Sequence, residues 1–114
     1  MYKIISILLF LTLSCQQKNE VSKTSQELLS HDKMVHIIKD IRLADSNAKL
    51  LKINRDSMNL LLEQHYDTIF QLHSVEKKVF IDSYTYYMEK PEQLNLIFEK
   101  VIEELLKLDI QYNN

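Results

Sequence analysis

Apolar residues along this chain fall into one nearly continuous run and four periodic stretches. The run is Ile4 to Leu13 (IISILLFLTL), interrupted only by Ser6 and Thr12. The stretches that follow alternate apolar and polar positions every three or four residues, the period of one helix face. After Ser30, a good N-cap, come Met34, Ile37, Ile38, Ile41, Ala44, Ala48 and Leu51, which predict a helix from about His31 to Lys52. Asn54, Arg55, Asp56 and Ser57 supply cap chemistry for a second helix over Asp56 to His73, with Met58, Leu61, Leu62, His65, Ile69 and Leu72 on its face. The pattern leaves open whether these two helices are separate or bend continuously near Ile53.

Ser74 is positioned to cap a third helix, with Glu76 in its first turn and Val79, Phe80, Tyr84, Tyr87 and Met88 on its apolar side. Pro91 fits the first position of a fourth, carrying Leu94, Ile97, Phe98, Val101, Leu105 and Leu108. Ile102 and Leu106 lie about 100° round from Val101 and Leu105, so this stripe is wider than one small partner helix covers. The fourth helix is therefore expected to sit centrally or to contribute to an interface. Short connections between all four predict an all-α fold, a small bundle of three or four helices packed roughly antiparallel.

Composition narrows the fold class further. The 114 residues include no glycine, no tryptophan and one proline. Hairpin turns that need positive φ have almost no raw material, and neither a P-loop nor a dinucleotide fingerprint can be written without glycine. The formal net charge is −2, one unit lower once Lys3 leaves with the leader, and both signs are interspersed. No basic patch is visible, so nucleic acid is not an expected partner. Cys15 is the only cysteine, which excludes an intramolecular disulfide and cysteine-based zinc sites.

The apolar run Ile4 to Leu13 follows a short cationic head, Met1-Tyr2-Lys3, in the manner of a signal peptide. As a helix it rises only about 15 Å, half a hydrocarbon core. It ends in Leu11-Thr12-Leu13-Ser14-Cys15, which resembles the bacterial lipobox, with Thr12 where leucine is commoner. The small Ser14 gives a signal peptidase access to the Ser14–Cys15 bond, and the Cys15 thiol is the group that forms a thioether to diacylglycerol. Two or three long acyl chains such as palmitate anchor far more firmly than one, at about 0.8 kcal/mol per buried methylene. The organisation expected is a leader over 1–14, a lipidated N-terminus and polar tether over 15–27, a helical domain over 28–109 and a tail over 110–114. As a flexible coil the tether Gln16 to Gln26 spans about 18 Å, which keeps the domain close to the membrane.

Few residues form a pattern that carries chemistry. Asp32, His36 and Asp40 stand four apart, but the helical wheel turns them away from Met34, Ile37 and Ile41, which reads as a solvated charged stripe and not a metal site. The histidines at 31, 36, 65 and 73 have no ligand spacing, and neither a metal nor another cofactor is expected. Asp45 falls within the apolar face of the first helix, where a carboxylate needs a partner. Tyr84 or Tyr87 is the expected donor, fixing how the first helix meets the third; the alternative is a general acid at Asp45 acting with a tyrosine. Of the run Tyr84-Thr85-Tyr86-Tyr87, Tyr86 is the residue expected to be exposed and, with Ile102 and Leu106, to meet a partner.

The order and spacing of several motifs resemble a family of small envelope lipoproteins from the Bacteroidetes group catalogued as domain-of-unknown-function 4296. The motifs are Lys33-Met34-Val35, Asp40-Ile41-Arg42-Leu43-Ala44-Asp45, Tyr66 with Ile69-Phe70, Phe80-Ile81-Asp82-Ser83, Tyr86-Tyr87, Pro91, and Ile97 to Val101. Together they span most of Leu28 to Leu108. The family more often has glutamate where this chain has Asp45 and histidine where it has Arg42, which weakens any role that needs a fixed side-chain length there. The resemblance implies an envelope lipoprotein with a helical domain, and brings no activity, catalytic residue or ligand with it.

The functional expectation is a non-catalytic helical interaction module, tied to the membrane by its N-terminal acyl chains and meeting another envelope protein or a second copy. Two alternatives come from other classes: a periplasmic holdase, which needs an open apolar groove, and an enzyme using Asp45 and a tyrosine. Gln16 after the cysteine, and the absence of paired acids in Gln17-Lys18-Asn19-Glu20, point to the periplasmic face of the outer membrane.

Overall fold

A computed structural model describes residues 27–114. These form four helices: α1, His31–Lys49; α2, Arg55–Leu72; α3, Lys77–Met88; and α4, Pro91–Tyr112. The described residues contain no strand. The leader, Ser14, Cys15 and most of the tether lie outside the described residues.

The helix starts follow local cap chemistry. The Ser30 side chain accepts from the Lys33 amide at 3.2 Å, and Asn54 Oδ1 accepts from the Ser57 amide at 2.9 Å, so each satisfies a donor that the first turn leaves free. Pro91 opens α4, where its missing N–H costs nothing. α1 and α2 are separate helices. The first ends at Lys49, three residues earlier than periodicity predicts, and Leu50 caps it through its amide to Asn47 and Ala48. α4 continues to Tyr112, so the expected tail begins as the last turn of this helix.

The role predicted for Ser74 is corrected. It lies past the end of α2 with φ 54°, in the left-handed region, and its amide bonds the Gln71 carbonyl while the Val75 amide bonds the Phe70 carbonyl. This paired pattern is a Schellman motif, which usually places glycine at the left-handed position. The chain has no glycine to offer, and serine fills the position. Glu76 then precedes α3 as its N-cap and makes no side-chain cap bond.

Helix α1 is packed against α2 on one side and α4 on the other, while α3 packs on α4. α4 likewise has two neighbours, α1 and α3, so it and α1 are the two inner helices. Met34, Ile37 and Ile97 are fully buried, joined by Val35, Ile38, Ile69, Phe70, Tyr87 and Val101. Phe70 and Phe80 stack at 5.2 Å and tie α2 to α3. Leu51, Leu72 and Met88, each assigned to an apolar face by periodicity, are exposed because their helices end or turn before reaching a neighbour.

The core lies at one end of the bundle. α3 is only twelve residues long, against nineteen in α1 and twenty-two in α4, and covers its neighbours over part of their length. Beyond it Ala48 is the one buried apolar residue of the C-terminal half of α1.

Candidate functional site

Three polar arrangements and two exposed surfaces are the places where chemistry or recognition can reside. The first arrangement joins α1 to α2. Tyr66 Oη donates to Asp45 Oδ1 at 2.6 Å, and five residues earlier on α1 Asp40 Oδ2 meets His73 Nε2 at 2.7 Å. The two pairs share one antiparallel register, since moving back along α1 moves forward along α2. The Tyr66 hydroxyl is pushed up to about 12 by its hydrogen bond to Asp45, by burial and by the Asp45 charge, with Arg42 opposing. Such a phenol keeps its proton at neutral pH and serves as a donor, not a base.

Asp45 therefore has the hydroxyl partner its position requires, but from Tyr66, not from Tyr84 or Tyr87 as expected. The reason is topological: Asp45 lies in the C-terminal half of α1, alongside the antiparallel α2, whereas the Tyr87 hydroxyl bonds Leu29, just before the N-terminus of α1. Tyr84 instead lies 6.0 Å from the Phe80 ring. The charged stripe also divides. Asp32 is exposed and sits 3.6 Å from His36, whereas Asp40 is mostly covered and also lies 3.6 Å from Lys39. A wheel drawn for α1 alone does not register His73 closing over Asp40 from the end of α2.

The second arrangement is a strap that sequence reading missed. Leu29, just before α1, is buried and its backbone is bonded twice to α3: its amide donates to Ser83 Oγ at 3.0 Å, and its carbonyl accepts from Tyr87 Oη at 2.6 Å. Ser83 and Tyr87 stand four apart on one face of α3, both buried. Burial, with Tyr86 adding, raises the Tyr87 hydroxyl above its ordinary value. The only signal in the sequence was Ser83 among the apolar positions of its helix. A cleft of about 650 Å³ opens beside the strap, its lining mixing Glu27, Lys33 and Glu76 with Leu28, Val75 and Val79. That is a hollow of mixed polarity, not an apolar groove.

The third arrangement packs His31 edge-on to Tyr87 at 5.1 Å and brings its Nε2 within 3.2 Å of Gln93 Oε1. Tyr86, whose ring meets that of Tyr87 edge-on at 5.3 Å, is exposed with the Lys90 ammonium 4.7 Å above it. Among the described residues no group of three or more His, Cys, Asp or Glu is placed to hold a metal ion.

Of the exposed surfaces, one is the outer side of α4. Ile102, Leu106 and Ile110 are 57%, 59% and 62% exposed and rise along the helix four residues apart. Beside them Lys107 lies between Glu103 and Glu104 at 3.0 and 2.9 Å; the hydrogen bond holds the Glu104 carboxyl below and the Lys107 ammonium above their usual ranges. The second surface is the α1–α2 turn, where every residue from Lys49 to Ser57 is exposed. It gathers Lys49, Lys52 and Arg55 in the run KLLKINR, with Asp56 beside them.

No curated protein and no solved structure matches the chain. The model of the family described as a domain of unknown function (DUF4296) matches residues 26–111, a span that takes in the strap, α1, α2, α3 and all but the last residue of α4. The chain belongs to the DUF4296 family, whose match covers the whole arrangement of packed helices described above.

Proposed function

We propose that the protein is a lipid-anchored, non-catalytic interaction module of the bacterial cell envelope, carried at the periplasmic face of the outer membrane by acyl chains on Cys15. The observation that carries this reading is the α4 stripe of Ile102, Leu106 and Ile110, aligned on the side of the helix away from Ile97 and Val101. Burying such a stripe against a partner contributes about 25 cal/mol per Å² of apolar surface, and within the monomer more than half of it stays in water. Leader, lipobox and tether favour the membrane attachment, and the described residues include no helix long and apolar enough to cross a membrane. Tyr86, with Lys90 over its ring, is a second contact point on the same reading.

Two measurements test the proposal. Mass spectrometry of the native chain is expected to find an acylated N-terminus at Cys15, and an unmodified polypeptide starting elsewhere removes the anchor. A photo-crosslinking residue at position 106 is expected to give one discrete higher-mass adduct in cells. Recovery of monomer alone removes the interaction role.

A further inference from the structure

The α1–α2 turn breaks the usual chemistry of turns. Such positions favour glycine, proline, asparagine, aspartate and serine, yet Leu50, Leu51 and Ile53 occupy this one and are 81%, 49% and 42% exposed. None contributes to the core, so the fold supplies no reason for three aliphatic side chains there. They alternate with Lys49, Lys52 and Arg55, three cations against one acid, Asp56, over the exposed stretch Lys49 to Ser57 in a chain whose net charge is negative. Among the described residues none of the three cations sits in an ion pair.

The turn is also preformed. Leu50 and Leu51 amides bond back to Asn47 and Ala48, and Asn54 caps α2 through the Ser57 amide. The side chains are therefore presented from a fixed backbone.

We propose that this turn docks on an anionic lipid surface, with Leu50, Leu51 and Ile53 entering the boundary between headgroups and acyl chains while Lys49, Lys52 and Arg55 pair with lipid phosphates. Long basic side chains suit that position, because their stems lie along apolar surface and their charged ends reach the headgroups. Aliphatic residues interleaved with cations have both contributions that interfacial attachment uses. A protein partner fits less well, because Lys49, Lys52 and Arg55 alternate with the aliphatic side chains and leave none of the uncharged centre that a stable protein interface buries. A lipid phase needs no matching shape.

The proposal stands on the described residues alone and does not require the acyl chains. Where both hold, their geometry is compatible. α1 rises about 28 Å from the strap to the turn, and the twelve peptide steps from Cys15 to Glu27 reach about 40 Å when extended, so one bilayer can hold both.

The test uses the chain from position 15 onward with Cys15→Ala, which keeps every described helix and carries no lipid of its own. Co-sedimentation with vesicles of phosphatidylcholine containing phosphatidylglycerol is expected, with weakening by salt and little retention on phosphatidylcholine alone. The triple variants Leu50→Ser/Leu51→Ser/Ile53→Ser and Lys49→Gln/Lys52→Gln/Arg55→Gln are each expected to lower partitioning about tenfold or more, with unchanged helical circular dichroism. Ile102→Ser/Leu106→Ser is expected to bind as the parent does. Absence of vesicle binding overturns the proposal, as does binding that both turn variants retain. A discrete protein adduct from a photo-crosslinking residue at position 51, without any vesicle binding by the parent, overturns it in favour of an acidic protein partner.

Discussion

The Tyr87 hydroxyl donates to the Leu29 carbonyl across 58 positions of sequence, and the Leu29 amide is held by Ser83 one helical turn away. Both backbone groups of one residue are thus satisfied by side chains in a buried place, where an unpaired group costs about 1–3 kcal/mol. Tyr87→Phe and Ser83→Ala are each expected to destabilise the domain by about that amount, measured by urea unfolding. The Leu29 amide is expected to lose hydrogen-exchange protection in Ser83→Ala, while protection of the Ile69 amide falls only with global stability. An unchanged Leu29 exchange rate in Ser83→Ala contradicts the strap.

The Tyr66–Asp45 pair predicts a pH dependence at the alkaline end. Tyr66 has a folded-state pKa raised to about 12 against the ordinary 10, so the folded state holds its proton more tightly. Its stabilisation is complete below pH 10 and is lost as pH rises from 10 through 12, because the unfolded chain releases that proton first. With solvent screening the loss is on the order of 1 kcal/mol. In Tyr66→Phe the slope of unfolding free energy against pH should flatten across this window. The residual slope then belongs to Tyr87 and Lys107, both raised in the same direction.

The helices were legible because their signals are local. Ser30, Asn54 and Pro91 mark starts by side-chain chemistry that acts within four residues, and an apolar period of three to four persists through each helix. The bundle's pairings were not, because they depend on which helix lies beside which. Asp45 was legible as a carboxylate in need of a donor, yet nothing in α1 distinguishes Tyr66 from Tyr84 or Tyr87 as that donor. Asp40 was misjudged for the same reason, since its cover comes from His73, 33 positions away. Ser74 was misassigned because serine is common at helix starts and uncommon in the left-handed position that ends α2.

That position offers a direct test of the Schellman reading. Ser74 holds φ 54°, a conformation costing a residue with a Cβ about 1 kcal/mol more than glycine. Ser74→Gly is therefore expected to raise stability by up to about 1 kcal/mol, the lower backbone entropy cost of serine offsetting part of the gain. Ser74→Val is expected to lower it, since a β-branched side chain tolerates the left-handed region worst. Thermal unfolding of the three chains in parallel should order them Gly, Ser, Val from most to least stable. A serine that acted as the α3 N-cap predicts the opposite for glycine, a small loss.

Two neighbouring positions on α4 separate folding from recognition. Ile97 is fully buried against α1, and Ile97→Ala should cost about 2–5 kcal/mol through lost transfer energy and the cavity left behind. Leu106 lies nine residues further along on the exposed side, and Leu106→Ala should stay within about 0.5 kcal/mol of the parent in urea unfolding. If the stripe meets a partner, the ranking reverses when recognition is the readout. Leu106→Ala with Ile102→Ala should then abolish the crosslinked adduct in cells at unchanged abundance, because the surface is lost and the fold is not. A double variant that keeps the adduct shows that the partner docks elsewhere, and one that unfolds shows that the stripe belongs to the core.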